Sequence, residues 1–215
     1  MKQSPGTRVR ALGLLALLAA TTAQAETPRF EITPFGGARI AGGFDAEDAA
    51  TGEESSVDLD NDTSFGLDLG LYAQPNGFYE LLYSTQEAAF DSSDPALDGI
   101  DIQVDYLHFG GTAFFPNDQF YVPYLSLTLG ATFLEPTRGN YDSETKFSGS
   151  IGGGFRFPVS DHFHVALGLR GYLTLIDSNT SLFCVSDAQG AGCLVKSSGS
   201  TFFQTEGQLG FSLVF

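Results

Sequence analysis

Apolar and polar residues alternate with period two in eight segments of this chain, 29–43, 63–73, 78–90, 101–115, 120–134, 145–157, 162–176 and 201–215. The last is the clearest. Phe203, Leu209, Phe211, Leu213 and Phe215 share one strand face, and Gln204, Glu206, Gln208, Gly210 and Ser212 share the other. Three connections are short and turn-like, at 74–77, 116–119 and 158–161, while four are longer and polar, near 44–62, 91–100, 135–144 and 177–200. Long and short connections alternate, as in a meander whose tight turns gather at one rim. The pattern predicts an all-β fold: one domain, 26–215, forming an eight-stranded antiparallel up-and-down transmembrane β-barrel.

A soluble barrel of the same meander topology is the structural competitor, and the two differ in which face carries the large apolar side chains. The more polar face collects Glu31, Arg39, Asp68, Glu80, Arg156, Arg170 and Glu206, too many charges for a soluble core. The apolar face is therefore assigned to lipid. It carries Phe65, Leu67, Leu69 and Leu71 in the second segment, and Leu125, Leu127, Leu129 and Phe133 in the fifth. The seventh adds Phe163, Val165, Leu167, Leu169, Leu173 and Leu175. An Arg or Lys at the bilayer midplane would cost about 2–4 kcal/mol, and none falls in this set. The fourth segment departs from the pattern: Ile100, Ile102, Val104 and Tyr106 share one parity, but Leu107, Phe109, Ala113 and Phe115 share the other. A bulge near Tyr106, or a strand top standing clear of the membrane, accounts for the switch.

The N-terminus adds an address. Lys2, Arg8 and Arg10 precede an Ala/Leu run at 11–20, and Ala23-Gln24-Ala25 supplies a small-residue cleavage site, so 1–25 reads as a secretory signal peptide. The apolar run is too short for a spanning helix, which needs about 20 residues. Losing the signal removes three basic residues and makes the formal net charge still more negative than −16, which excludes nucleic-acid binding through backbone charge. Twenty Phe, eight Tyr and 26 Gly suit a strand wall with aromatic belts.

With the strands in place, the chain resembles small outer-membrane barrels of the OmpA-like and OmpX-like type, with OmpW a more distant cousin. The resemblance rests on the eight-strand pattern, His108-Phe109-Gly110-Gly111, Gly152-Gly153-Gly154-Phe155 and Phe215. More narrowly, Tyr106-Leu107-His108-Phe109-Gly110-Gly111, the stretch from Gly171 to Cys184, and Gly192-Cys193 are similar to an uncharacterised group of outer membrane beta-barrel proteins of Gram-negative bacteria. The resemblance implies insertion by the barrel assembly machinery, with Phe211, Leu213 and Phe215 as the assembly signal. No peptidoglycan-binding domain is expected to accompany the barrel.

Four candidate features follow. A barrel of eight strands is only wide enough for side chains to fill, so the four acids and three arginines of the polar face are expected to pair in the lumen, with Gln204 and Gln208 bridging. Inward Gly66, Gly70, Gly152, Gly154, Gly168 and Gly210 are expected to relieve crowding around the arginines. Cys184 and Cys193, both in the last long connection, are expected to form a disulfide in an oxidising compartment. The first long connection carries Asp45, Glu47, Asp48, Glu53, Glu54, Asp58, Asp60 and Asp62. Asp58, Asp60 and Asp62 are a weak divalent-ion candidate, but Thr63 and Leu69 stand where a calcium loop needs Gly and Glu.

His108, His162 and His164 lack the His-x-Ser pattern of the barrel lipid A deacylases, and no catalytic residue, resident metal or cofactor is assigned. The expected protein is a monomeric, non-enzymatic integral barrel of the cell outer membrane, contacting membrane lipid and lipopolysaccharide and acting through its exposed loops in surface interaction or envelope integrity. The alternatives are a narrow porin-like conduit for small or hydrophobic solutes and, with least support, a lipid-modifying enzyme.

Overall fold

The computed structural model describes residues 29–41, 44–47, 54–59, 61–91, 101–137, 142–176, 181–187, 190–197 and 201–215. The segment read as a signal peptide lies outside them. Eight strands close on themselves: β1 (Phe30–Ala41), β4 (Asp62–Gln74), β5 (Gly77–Asp91), β6 (Asp101–Phe114), β7 (Val122–Pro136), β8 (Glu144–Pro158), β9 (Phe163–Leu175) and β12 (Thr201–Val214). Each pairs antiparallel with its chain neighbours, and β1 pairs with β12 to complete the ring. Closure leaves the barrel wall without a free edge. At the seam the Phe215 amide donates to the Phe30 carbonyl at 2.9 Å and the reverse bond spans 3.3 Å.

The polar connections 44–62 and 177–200 are not plain loops. Each contains a hairpin: β2 (Phe44–Glu47) with β3 (Glu54–Leu59), and β10 (Ser181–Asp187) with β11 (Gly190–Ser197). Backbone pairing runs from β11 to β2 and from β3 to β5, so the hairpins extend the β5 end of the barrel as an outer sheet. Their Gly and acidic content hid them, because both are depleted in strands.

The fourth segment contains no bulge. Its pairings with β5 and β7 keep one unbroken register from Ile102 through Ala113. Ile102, Val104, Tyr106 and His108 all point inward and are buried, while Leu107 and Phe109 point outward. Parity is constant; the environment changes. Below Leu107 the outer wall is apolar and meets lipid. Above it the wall carries Asp105, Gln103 and, on neighbouring strands, Glu87 and Glu135, while the interior is lined by Ala88, Ile102, Val104, Leu134, Ile176 and Phe202. The upper barrel is built more like a soluble one, with polar groups outside and a largely apolar interior into which Gln86 and Thr174 are also buried. A register shift does occur elsewhere, between Tyr72 and Gln74 at the tight turn into β5.

The apolar face lies outside. Phe65 is 63%, Leu127 64% and Leu169 65% accessible, and a continuous band of such residues around the strands suits a wall that faces hydrocarbon rather than water. In β12, Phe203, Leu209, Phe211 and Leu213 are likewise exposed, as is Phe215 just after it, while Gln204, Glu206, Gly210 and Ser212 are buried.

Candidate functional site: the lumen

Strand parity sends all seven charges of the polar face inward, and interstrand register decides their partners. Arg39 stands opposite Glu206 across the β1–β12 seam, and its Nη2 donates to Glu206 Oε1 at 3.1 Å. Arg156 reaches from β8 to Glu31 at 2.7 Å, and Arg170 from β9 to Glu80 at 2.6 Å. Among the described residues these are the three ion pairs of the lumen, and Asp68 is the acid outside them. It lines the same small cavity as Glu31, Arg156 and Arg170, of about 50 Å³. That space holds a few waters at most.

Each pair is embedded in further hydrogen bonds, which a buried ion pair needs to offset its desolvation. Around Glu206, Tyr172 donates at 2.6 Å and Gln208 at 2.6 Å, and Ser84 contacts both Glu206 and the Arg39 guanidinium. Around Glu80, Thr112 donates at 2.5 Å, while Arg170 Nη1 donates to Ser150 at 3.1 Å. Around Glu31, Tyr72 donates at 2.6 Å and accepts from Arg156 Nη1 at 3.0 Å.

An aromatic layer, not foreseen from the sequence, crosses the lumen beside Arg39. Tyr106 and Tyr172 stack with centroids 4.2 Å apart, and the Arg39 guanidinium lies 5.0 and 5.2 Å from the two rings. Inward parity at both tyrosines was the available signal. Gln204 does not bridge the ion pairs. It accepts from Tyr106 at 2.8 Å and donates to Gln86 at 3.3 Å, one level away, leaving Gln208 as the glutamine that meets a lumen carboxylate.

The inward glycines also act differently from expectation. Only Gly152 makes room for an arginine: a Cβ there would sit 3.3 Å from Arg170 Nε. Gly66 clears the Phe35 ring, Gly70 the Phe78 ring, Gly168 the Tyr124 hydroxyl and Gly210 Thr33, while Gly154 permits close approach of the Leu167 carbonyl.

The remaining candidates are dispersed. His108 is buried between Thr128 and Ser148, with ring nitrogens 3.0 and 2.8 Å from their hydroxyls. His164 Nδ1 lies 2.8 Å from Arg156 Nη2, and His162 is exposed in the turn before β9. Cys184 and Cys193 are register partners in β10 and β11. Asp58 is opposite Asp91 in backbone register, Asp62 is exposed and accepts from the Thr63 amide at 2.6 Å, and Asp60 lies outside the described residues.

A family model described as outer membrane protein beta-barrel domain matches residues 11–202. The chain belongs to this family. No curated protein matches it in sequence. Among solved structures it is similar to the outer membrane protein OprG from Pseudomonas aeruginosa, at 14% identity and TM-score 0.60 over 88% of this chain and 96% of that one. It is also similar to the outer membrane protein AlkL in lipid bilayers, at 11% identity and TM-score 0.60 over 100% and 97%. Neisserial surface protein A matches at 12% identity and TM-score 0.53 over 87% and 99%. At such identities the likeness is one of fold: a closed barrel of the outer membrane.

Proposed function

We propose that this barrel is a non-enzymatic, non-conducting monomer that works from its outer end, in surface interaction or envelope integrity. The observation that carries the reading is the filling of the lumen. The Arg156–Glu31 and Arg170–Glu80 pairs, a layer in which Arg39–Glu206 joins Tyr106 and Tyr172, and a largely apolar cluster at the β5–β6 end occupy the interior. A conduit would need an open path; at the next level Val104 and Phe202 are buried inside the barrel, and Gln86, cross-strand from Val104, is tied to Gln204 at 3.3 Å. The scattered histidines, each held by a different set of neighbours, support the non-enzymatic assignment.

In this reading the tight turns face the periplasm, and the sheet of β2, β3, β10 and β11 faces outward. The signal peptide directs export, the assembly machinery recognises Phe211, Leu213 and Phe215, and lipopolysaccharide surrounds the upper wall. The Cα register of Cys184 and Cys193 suits a cross-strand disulfide stiffening the outer hairpin. Replacing 44–62 and 177–200 together by short turns tests the assignment. The expected result is a folded, heat-modifiable barrel in cells that have lost surface adhesion or resistance to detergent. Unchanged adhesion and detergent resistance would contradict it.

A further inference from the structure

The outer wall of β1, β4, β5, β6 and β7 is not smooth. Two apolar grooves of about 500 and 490 Å³ lie on either side of one ridge. Tyr79 of β5 is the ridge and lines both grooves; Phe109 of β6, stacked on it with centroids 6.2 Å apart and planes 17° apart, braces it from the side of the first. On one side Phe30, Ile32, Leu69 and Leu71 form the far wall. On the other, the floor is the nearly bare backbone of β6 at Gly111 and Ala113, and Leu125 and Leu127 form the far wall. Register explains the second hollow: Tyr79, Gly111 and Leu127 stand in one row across three strands, so the middle position carries no side chain. The second glycine of His108-Phe109-Gly110-Gly111 thereby acquires a role that the lumen does not give it. Gly110 faces inward, where a Cβ would lie 2.0 Å from the Leu127 carbonyl oxygen, and Gly111 opens the groove outside.

Both grooves reach the same rim. The first includes Phe30, the opening residue of β1, and the second is bounded by Gln74 and Asn76 of the tight turn, both exposed. We infer that this saddle is a binding site for one two-chain glycerophospholipid, with one acyl chain on each side of the Tyr79 ridge and the headgroup against the Gln74 and Asn76 amides. The grooves are continuous with the lipid-facing wall, so the occupant comes from the membrane itself. Two grooves of matched size suit two chains of similar length. The choice of a glycerophospholipid over a glycolipid rests on the tight turns facing the periplasm, as proposed above.

The test is native mass spectrometry of the full barrel released from nanodiscs of phosphatidylethanolamine and phosphatidylglycerol doped with lipopolysaccharide, with folding checked by heat-modifiability. The wild type is expected to retain one phospholipid. Ala113→Leu, which fills the second groove from an already exposed position, is expected to lower retention about tenfold or more, as is Tyr79→Ala, which removes the ridge without adding bulk. Leu169→Ala, on β9 of the opposite wall, is expected to leave it unchanged. Absence of a retained phospholipid in the wild type, equal retention in the folded saddle variants, or retention of lipopolysaccharide instead would overturn the inference. Protease accessibility of the tight turns reports orientation independently, so a failed site and a reversed barrel give different results.

Discussion

Gly152 and Arg170 face each other across β8 and β9, and the missing side chain of one is the space occupied by the other. A Cβ at 152 would also lie 2.7 Å from Ser126 Oγ. Gly152→Leu therefore forces the Arg170 stem away from Glu80. The expected result is a lower urea midpoint for the barrel, with a loss of about 1–3 kcal/mol from overpacking. Gly207→Leu is the control, because a Cβ there meets its nearest atom at 3.8 Å.

Removing the arginine itself has a larger effect. Arg170→Ala leaves Glu80 buried without its cation, and breaking a buried pair in this way costs about 3–5 kcal/mol. The double substitution Arg170→Met with Glu80→Gln is expected to recover part of that loss, since it removes both charges together. Urea titration followed by the heat-modifiable gel shift measures both.

The fold was legible because a barrel wall repeats a simple rule. Parity alone separates Leu167 and Leu169 from Gly168 and Arg170, and the tight turns mark the strand ends. Pairing was less legible. That Arg156 meets Glu31 while Arg170 meets Glu80 depends on interstrand stagger, which composition does not encode. The apparent face switch at Tyr106 misled for a physical reason: alternation reports the contrast between two faces, and that contrast reverses where the barrel leaves lipid for water. Glycines were legible as openings but not as openings for a particular neighbour, which is why Gly66 and Phe35 emerge as a pair only in the folded barrel.

Orientation has its own test. Protease treatment of intact cells is expected to cut within 44–62 or 177–200 and to spare 74–77. Cleavage confined to the short turns would reverse the assignment of outer and inner rims.

Phe215 is expected to matter for assembly more than for the finished wall. Phe215 is 68% accessible, although its backbone closes the β1–β12 seam. Phe215→Ser retains those backbone bonds, so its predicted effect is a smaller amount of folded barrel in outer membranes, with an unchanged urea midpoint for the fraction that folds. Wild-type assembly levels would remove Phe211, Leu213 and Phe215 from the role of assembly signal.

Single-channel recording of the purified barrel in planar bilayers tests the proposed closed lumen most directly. The wild type is expected to be electrically silent at both polarities, because Arg39, Tyr106, Tyr172 and Glu206 are packed together in one layer and Val104, Phe202 and the Gln86–Gln204 pair are buried in the next. Discrete, reproducible conductance steps from the wild-type barrel would contradict the account.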